Sequence, residues 1–221
     1  MNDFRFTLLS DGSSDQVLSP VLVWLLRRHN ISHAIQPTWA DLRWLRRPPT
    51  DLAGRIDLTL QLYPCDLLFV HRDAEGVPLA ARRSEILRAL PHRPEDRVPA
   101  VCIVPVRMQE AWLLIDEPSI RRAAGNPSGN QPLAMPRMRE IESLQDPKAL
   151  LYELLREASG LHGRRRRRFS VQTGARRVVE FIEDFSPLLK LPAFQALDED
   201  LRTLVRDHRW AAQPAAAGKN Q

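Results

Sequence analysis

Long apolar runs are missing from this sequence. A membrane-spanning helix needs about 20 apolar residues, and "VLVWLL" (21–26), among the longest runs here, breaks at Arg27. No basic segment followed by an apolar stretch opens the chain, so a secretory signal is not expected. Cysteine is scarce too: Cys65 and Cys102 are the only two, and both lie in apolar surroundings. They read as small buried hydrophobes in a reducing cytoplasm, and neither a membrane nor an oxidising compartment is expected. The histidines do not make a zinc site. His29 and His33 have helical spacing, but Asn30 should end the helix between them, and no cysteine or third histidine lies near. A glycine-rich phosphate loop, a Walker motif, a Ser-His-Asp arrangement and an internal repeat are all missing. Any ATP-dependent step would therefore belong to another chain.

Lysine is the last scarcity. Of 32 basic residues, 29 are arginine. Alanine and proline are frequent as well, which points to a GC-rich coding sequence. The net charge of +5 and pI near 9.8 hint at a polyanionic partner. With so composition-driven a charge, position matters more than the total.

At 221 residues and 43% hydrophobic composition, the chain can bury a proper core, as one domain or as one domain with an appendage. Strands are expected at 4–9 (FRFTLL), 33–37, 66–71 (DLLFVH) and 100–106 (AVCIVPV). The last two are near-continuous apolar runs, as in parallel strands covered on both faces. Helices are expected at 15–29, where Pro20 is tolerable near the start but would kink the interior, at 50–63 and at 79–90. The alternation predicts an α/β fold, a parallel sheet of about four strands flanked by helices. After residue 109 the texture turns helical, with a break near Pro118 and a turn-rich loop at 125–132. Asp146 as cap and Pro147 at the first helical position start a helix over 146–159. Two more are expected at 174–185 and 193–208. Residues 1–116 read as the α/β domain and 117–210 as a helical extension packed on it. The tail, 211–221, has too little to bury and is expected to be disordered.

In an open parallel sheet, ligands bind beyond the carboxyl ends of the strands. Asp11 and Asp15 follow the first strand, Asp73 and Glu75 the central strand ("HRDAEG"), and Glu110 the last ("VRMQEAW"). Each has a structural use by itself: Asp11 and Asp15 can cap a helix or form an Asx turn, Asp73 and Glu75 can serve the turn before Gly76, and Glu110 can favour a helix N-terminus. Five acids at one sheet edge favour a metal site over three coincidences. Clustered carboxylates need a neutralising cation, and hard oxygen ligands suit Mg²⁺ or Mn²⁺.

The arrangement of these acids resembles the Toprim (topoisomerase–primase) superfamily. "DGSSD" resembles its first motif, Glu-Gly-x-x-Glu/Asp, and "HRDAEG" looks like its second, Asp-x-Asp. "QEAWLLID" (109–116) and "LPAFQALDEDL" (191–201) are similar to a bacterial Toprim-like family of unknown function, often found beside ATPases in defence-type loci. Asp11 stands where the superfamily has Glu, and the second motif reads Asp73-Ala-Glu75; a shifted register would pair His71 and Asp73 with the two family aspartates.

A Mg²⁺-dependent nuclease or related phosphoryl-transfer enzyme is therefore the leading expectation. Asp11, Asp15, Asp73, Glu75 and Glu110 would be its metal ligands, with Asp11, Asp73 and Glu110 as the catalytic acids. "GRRRRRF" supplies Arg164, Arg165, Arg166, Arg167 and Arg168, and Arg176 and Arg177 follow. The run is either a solvated surface or a phosphate grip for nucleic acid, with Phe169 available to stack on a base. The alternative is a non-catalytic subunit whose helical half and arginine run dock a partner ATPase. A third reading is another α/β metal hydrolase, such as a phosphatase acting on a small molecule.

Overall fold

The computed structural model describes residues 3–91 and 98–211. Its centre is a four-stranded sheet of β1 (Phe4–Leu9), β2 (Ile35–Trp39), β3 (Leu67–His71) and β4 (Ala100–Ile103), in the order β2-β1-β3-β4. Every pairing is parallel, as the alternation predicts. Three helices alternate with the strands: α1 (Leu18–Arg28), α2 (Leu52–Leu62) and α3 (Leu79–Ala89). The strand order decides where they lie. Parallel crossovers are right-handed, and the chain moves one way from β1 to β2 and the other way from β2 through β3 to β4. So α1 covers one face, while α2 and α3 cover the opposite one.

Register separates the two cores. Phe6 pairs with Leu67 and Leu8 with Phe69, and Phe69 and His71 pair with Val101 and Ile103. Alternating side chains point to opposite faces, so Phe6, Leu8, Phe69, Val101 and Ile103 share one core with Leu18, Leu22 and Leu25 of α1. Leu9, Leu68, Val70 and Cys102 face the other way, onto Ile56 of α2 and Ile86 of α3.

Helix α1 alone leaves the β3–β4 half of its face open. The chain after β4 closes it with α4 (Glu117–Ala123), α5 (Pro147–Ala158), α7 (Val171–Phe181) and α8 (Pro192–Asp207), while α6 (Gly163–Arg168) links α5 to α7 and buries nothing. Helix α8 packs on β4, and α7 lies against α1, α4 and α5. Trp112, 1% exposed, meets Phe194 of α8 edge-on at 5.1 Å. One hydrophobic cluster thus runs from Phe4 to Val205, and residues after 116 complete the core of the sheet.

Local signals account for most helix ends. Asp146 and Asp51 accept from the backbone N–H of Ala149 and Gly54, capping α5 and α2. Helix α1 starts three residues later than expected, because Ser13–Val17 forms a 3-10 turn first. Pro20 then falls in the first helical turn, where its missing N–H costs nothing. The helix expected from 109 is a 3-10 turn at Gln109–Leu113 followed by α4, which Asp116 caps. Helix α7 starts at Val171, before the expected 174, because Ser170 caps it through the N–H of Thr173. Gly174 lies inside the helix, where an added Cβ would sit only 3.3 Å from Leu155. Of the tail expected to be disordered, only Ala211 is among the described residues.

Candidate active site at the carboxyl edge of the sheet

Strand order reverses direction between β1 and β3. Such a switch point opens a crevice beyond the strand ends, and the segments that follow β1, β3 and β4 meet there. The turn after β1 is held by its own polar groups. Ser10 Oγ donates to the Gly12 carbonyl, and the Gly12 N–H donates to Asp15 Oδ2 at 3.0 Å. Asp15 is therefore both part of a turn and a buried carboxylate, only 5% exposed. Its Oδ1 accepts from Ser14 Oγ at 3.0 Å and from Gln109 Nε2 at 2.9 Å.

His71 closes β3 on the same face. It is 2% exposed, with Nδ1 3.4 Å from Asp15 Oδ2 and Nε2 3.2 Å from Asp73 Oδ1. These are ion-pair contacts rather than aligned hydrogen bonds, since neither ring nitrogen has a hydrogen-bond partner. Burial alone would push the imidazolium pKa down, but the flanking carboxylates overcome it and raise it to about 9. Burial likewise opposes the charge on Asp15, yet His71, the Gly12 N–H and Ser14 hold its carboxyl below the usual range. The centre is thus a buried imidazolium between a buried carboxylate, Asp15, and a half-buried one, Asp73.

Glu110 approaches from the 3-10 turn after β4. It is 6% exposed, and its Oε1 lies 3.4 Å from Lys148 Nζ near the start of α5. Burial pushes the Glu110 carboxyl up; Lys148 offsets part of this, and Asp73 adds to it. Burial pulls the Lys148 ammonium down, but Glu110, with Tyr152 and Asp15 behind it, leaves it above its ordinary value. Beside this pair lies a cavity of about 180 Å³, whose walls include Ser14, Gln109, Glu110, Lys148, Tyr152 and Arg176.

Two of the five acids are placed elsewhere. Asp11, half exposed, is gripped on both oxygens: Arg55 Nη1 lies 2.5 Å from Oδ1 and Arg72 Nε 3.0 Å from Oδ2. Arg55 comes from α2, on the opposite side of the sheet from α1. Glu75 is exposed, in left-handed backbone at φ 49°, and forms no ion pair among the described residues. The structure brings Asp15 and Asp73 together through His71, sets Glu110 beside them, and leaves Asp11 and Glu75 outside.

Arg164 to Arg168 form the short, wholly exposed α6. Arg176 lines the acid-side cavity, while the Arg177 guanidinium sits 5.3 Å from the ring centre of Phe181. Phe169 is turned inward, with its ring 3.4 Å from the Cβ position of Gly174, and is not free to stack on a base. Sequence reasoning missed Gln109, Lys148, Arg55 and Arg72. A signal existed for Lys148, one of only three lysines in an arginine-rich chain. Among the described residues, no three His, Cys, Asp or Glu side chains are grouped so as to hold a metal ion, and no helix is long and apolar enough to cross a membrane. No family model, curated protein or solved structure matches this chain.

Proposed function

We propose that this chain is a Mg²⁺- or Mn²⁺-dependent phosphoryl-transfer enzyme acting on nucleic acid, a nuclease. One observation carries the reading: Asp15 and Asp73, from two strand ends, meet at the buried His71, while Glu110, from a third, pairs with Lys148 in a cavity also walled by Arg176. The resemblance of "DGSSD" and "HRDAEG" to Toprim motifs points the same way.

Two buried oxygens support a hard cation. Asp73 Oδ1 and Gln109 Oε1 are buried oxygens that accept no hydrogen bond, and Mg²⁺ takes one or two carboxylates, the rest of its shell being water and phosphate oxygens. Asp73 and Asp15 would hold it, with His71 giving up its contacts to them. When bound, the metal polarises the phosphate and lowers the pKa of an attacking water. Lys148 and Arg176 supply positive charge where phosphate oxygens enter the cavity. Glu110, its pKa pushed up by burial, is suited to take a proton from water or return one to the leaving oxygen. Gln109 fixes Asp15: its amide N–H must face the acceptor-only carboxylate, which locks the rotamer.

The test is metal-dependent cleavage of single-stranded and duplex oligonucleotides by the purified chain, with Mn²⁺ binding followed by calorimetry. Expected are cleavage abolished by chelation and Mn²⁺ binding lost in Asp15→Asn and Asp73→Asn. Cleavage that survives chelation, or Mn²⁺ binding equal in all three proteins, would overturn the metal centre.

The double pairing of Asp11 with Arg55 and Arg72 favours a second reading. There the acids are structural, and α6 docks an acidic partner such as an ATPase chain. That reading predicts no cleavage and no metal binding by the isolated chain.

A further inference from the structure

The loop between β2 and α2 leaves the same edge of the sheet and carries "WADLRWLRRPP" (39–49). Trp39 closes β2, and its indole N–H donates to Ser10 Oγ at 2.9 Å. The Arg43 guanidinium lies 4.8 Å from the Trp39 ring centre, and is also paired with Asp41 at 2.8 Å. Trp44 is 65% exposed, the most exposed large hydrophobic side chain among the described residues. It is nevertheless held: its N–H donates to Tyr63 Oη at 3.3 Å, and the Tyr63 hydroxyl donates to the Asp41 carbonyl at 2.9 Å. Arg46 and Arg47 are exposed and form no ion pair among the described residues. Between the loop and the turn after β1 lies a cavity of about 230 Å³, lined in part by Asp11, Trp39, Arg43, Pro49 and Arg55.

A single exposed apolar side chain is ordinary. An indole fixed at one edge and open on its surface, followed in the same loop by two exposed arginines, has the chemistry of a stacking platform. We infer that the 39–49 loop binds single-stranded nucleic acid, with Trp44 stacked on an unpaired base and Arg46 and Arg47 on the neighbouring phosphates. The single strand follows from the chemistry, because a base inside a duplex has both faces covered by its neighbours, whereas a splayed base offers one to the indole. The cavity between this loop and the turn after β1 then receives a neighbouring nucleotide. This rests on the nucleic-acid reading of the site.

The experiment is fluorescence anisotropy of labelled single-stranded and duplex oligonucleotides with excess chelator, so that binding is read without catalysis. Trp44→Ala should weaken single-strand binding by about tenfold, the scale of one base–aromatic stack. Trp44→Phe should restore most of it, and duplex binding should change little. Arg46→Gln with Arg47→Gln should lower the single-strand salt slope by about 1.4. Single-strand binding unchanged in Trp44→Ala overturns the platform, while wild-type binding and cleavage leave the nuclease reading standing. No binding of either nucleic acid by wild type overturns both. Trp44-dependent binding to anionic lipid vesicles, with none to oligonucleotides, would make the loop a membrane surface and also overturn the inference.

Discussion

Asp11 and Asp15 belong to one five-residue turn, yet the sheet sends them to different chemistry. Asp15 turns toward the α1 face, is buried, and shares a single imidazolium with Asp73. Asp11 stays half exposed and is neutralised by two guanidiniums, one of them from α2 on the opposite side. The first environment is of low dielectric, where interactions are strong and proton or metal exchange changes them greatly. In the second, water screens the pairing with the two guanidiniums, and substitution is mild. Proximity in sequence therefore says little about shared function; the face of the sheet decides it.

Removing the buried counter-charge is the severest way to test that contrast. His71→Leu leaves Asp15 and Asp73 without a cation, and breaking a buried pair of this kind costs about 3–5 kcal/mol. Urea denaturation at neutral pH should show a loss of that size. A loss under about 1 kcal/mol would mean that His71 does not hold them.

The same ion cluster should make stability fall in alkali. The folded-state pKa of His71, about 9, exceeds its unfolded value of 6.5. The stabilisation is fully present below pH 6.5 and is lost as pH rises through 9, on the order of 3 kcal/mol in total. Asp15 has the opposite sign: its contribution is present above 3.8 and is lost as pH falls through its depressed folded value. Denaturation midpoints across this range should fall for wild type and stay level above pH 6.5 in His71→Leu. A wild-type curve flat from pH 6.5 to 9 would contradict the charged imidazole.

Lys148→Met should cost less, about 1 kcal/mol, the scale of an acceptor left without its donor. It should also raise the Glu110 pKa further, which carboxyl NMR titration can follow. An unmoved Glu110 would remove the ion pair from the account. Asp11→Asn is the mildest change, within about 1 kcal/mol by the usual worth of an exposed pair, and chemical denaturation checks it. A larger loss would erase the contrast between the two sides.

Much of the fold was legible because strands covered on both faces cannot alternate polar residues. "DLLFVH" and "AVCIVPV" announce β3 and β4, and the intervening amphipathic helices imply parallel pairing. The acids were legible as residues that follow strand ends. Their counter-ions were not. Arg55, Arg72 and Lys148 reach the edge from α2, from the end of β3 and from α5, and no local pattern records which acid each will meet. His71 was visible as the last residue of a buried strand, where a titratable group needs a partner, and as the first position of the shifted second motif. Gln109 gave no signal, since its role is to fill the hydrogen-bonding capacity of Asp15. Phe169 shows the converse: an aromatic beside five arginines reads as a stacking residue, but packing against Gly174 turns it into core.

On the proposed reading, chemistry resides on the Asp15–His71–Asp73 side of the turn, not at Asp11. Single-turnover cleavage of a single-stranded oligonucleotide in Mn²⁺, by wild type, Asp73→Asn and Asp11→Asn, separates the two sides. Expected are a fall of about a hundredfold or more for Asp73→Asn, as for the loss of a group that positions the reacting atoms, and no more than a few-fold change for Asp11→Asn. Equal loss in both variants, or a fall confined to Asp11→Asn, would contradict that reading.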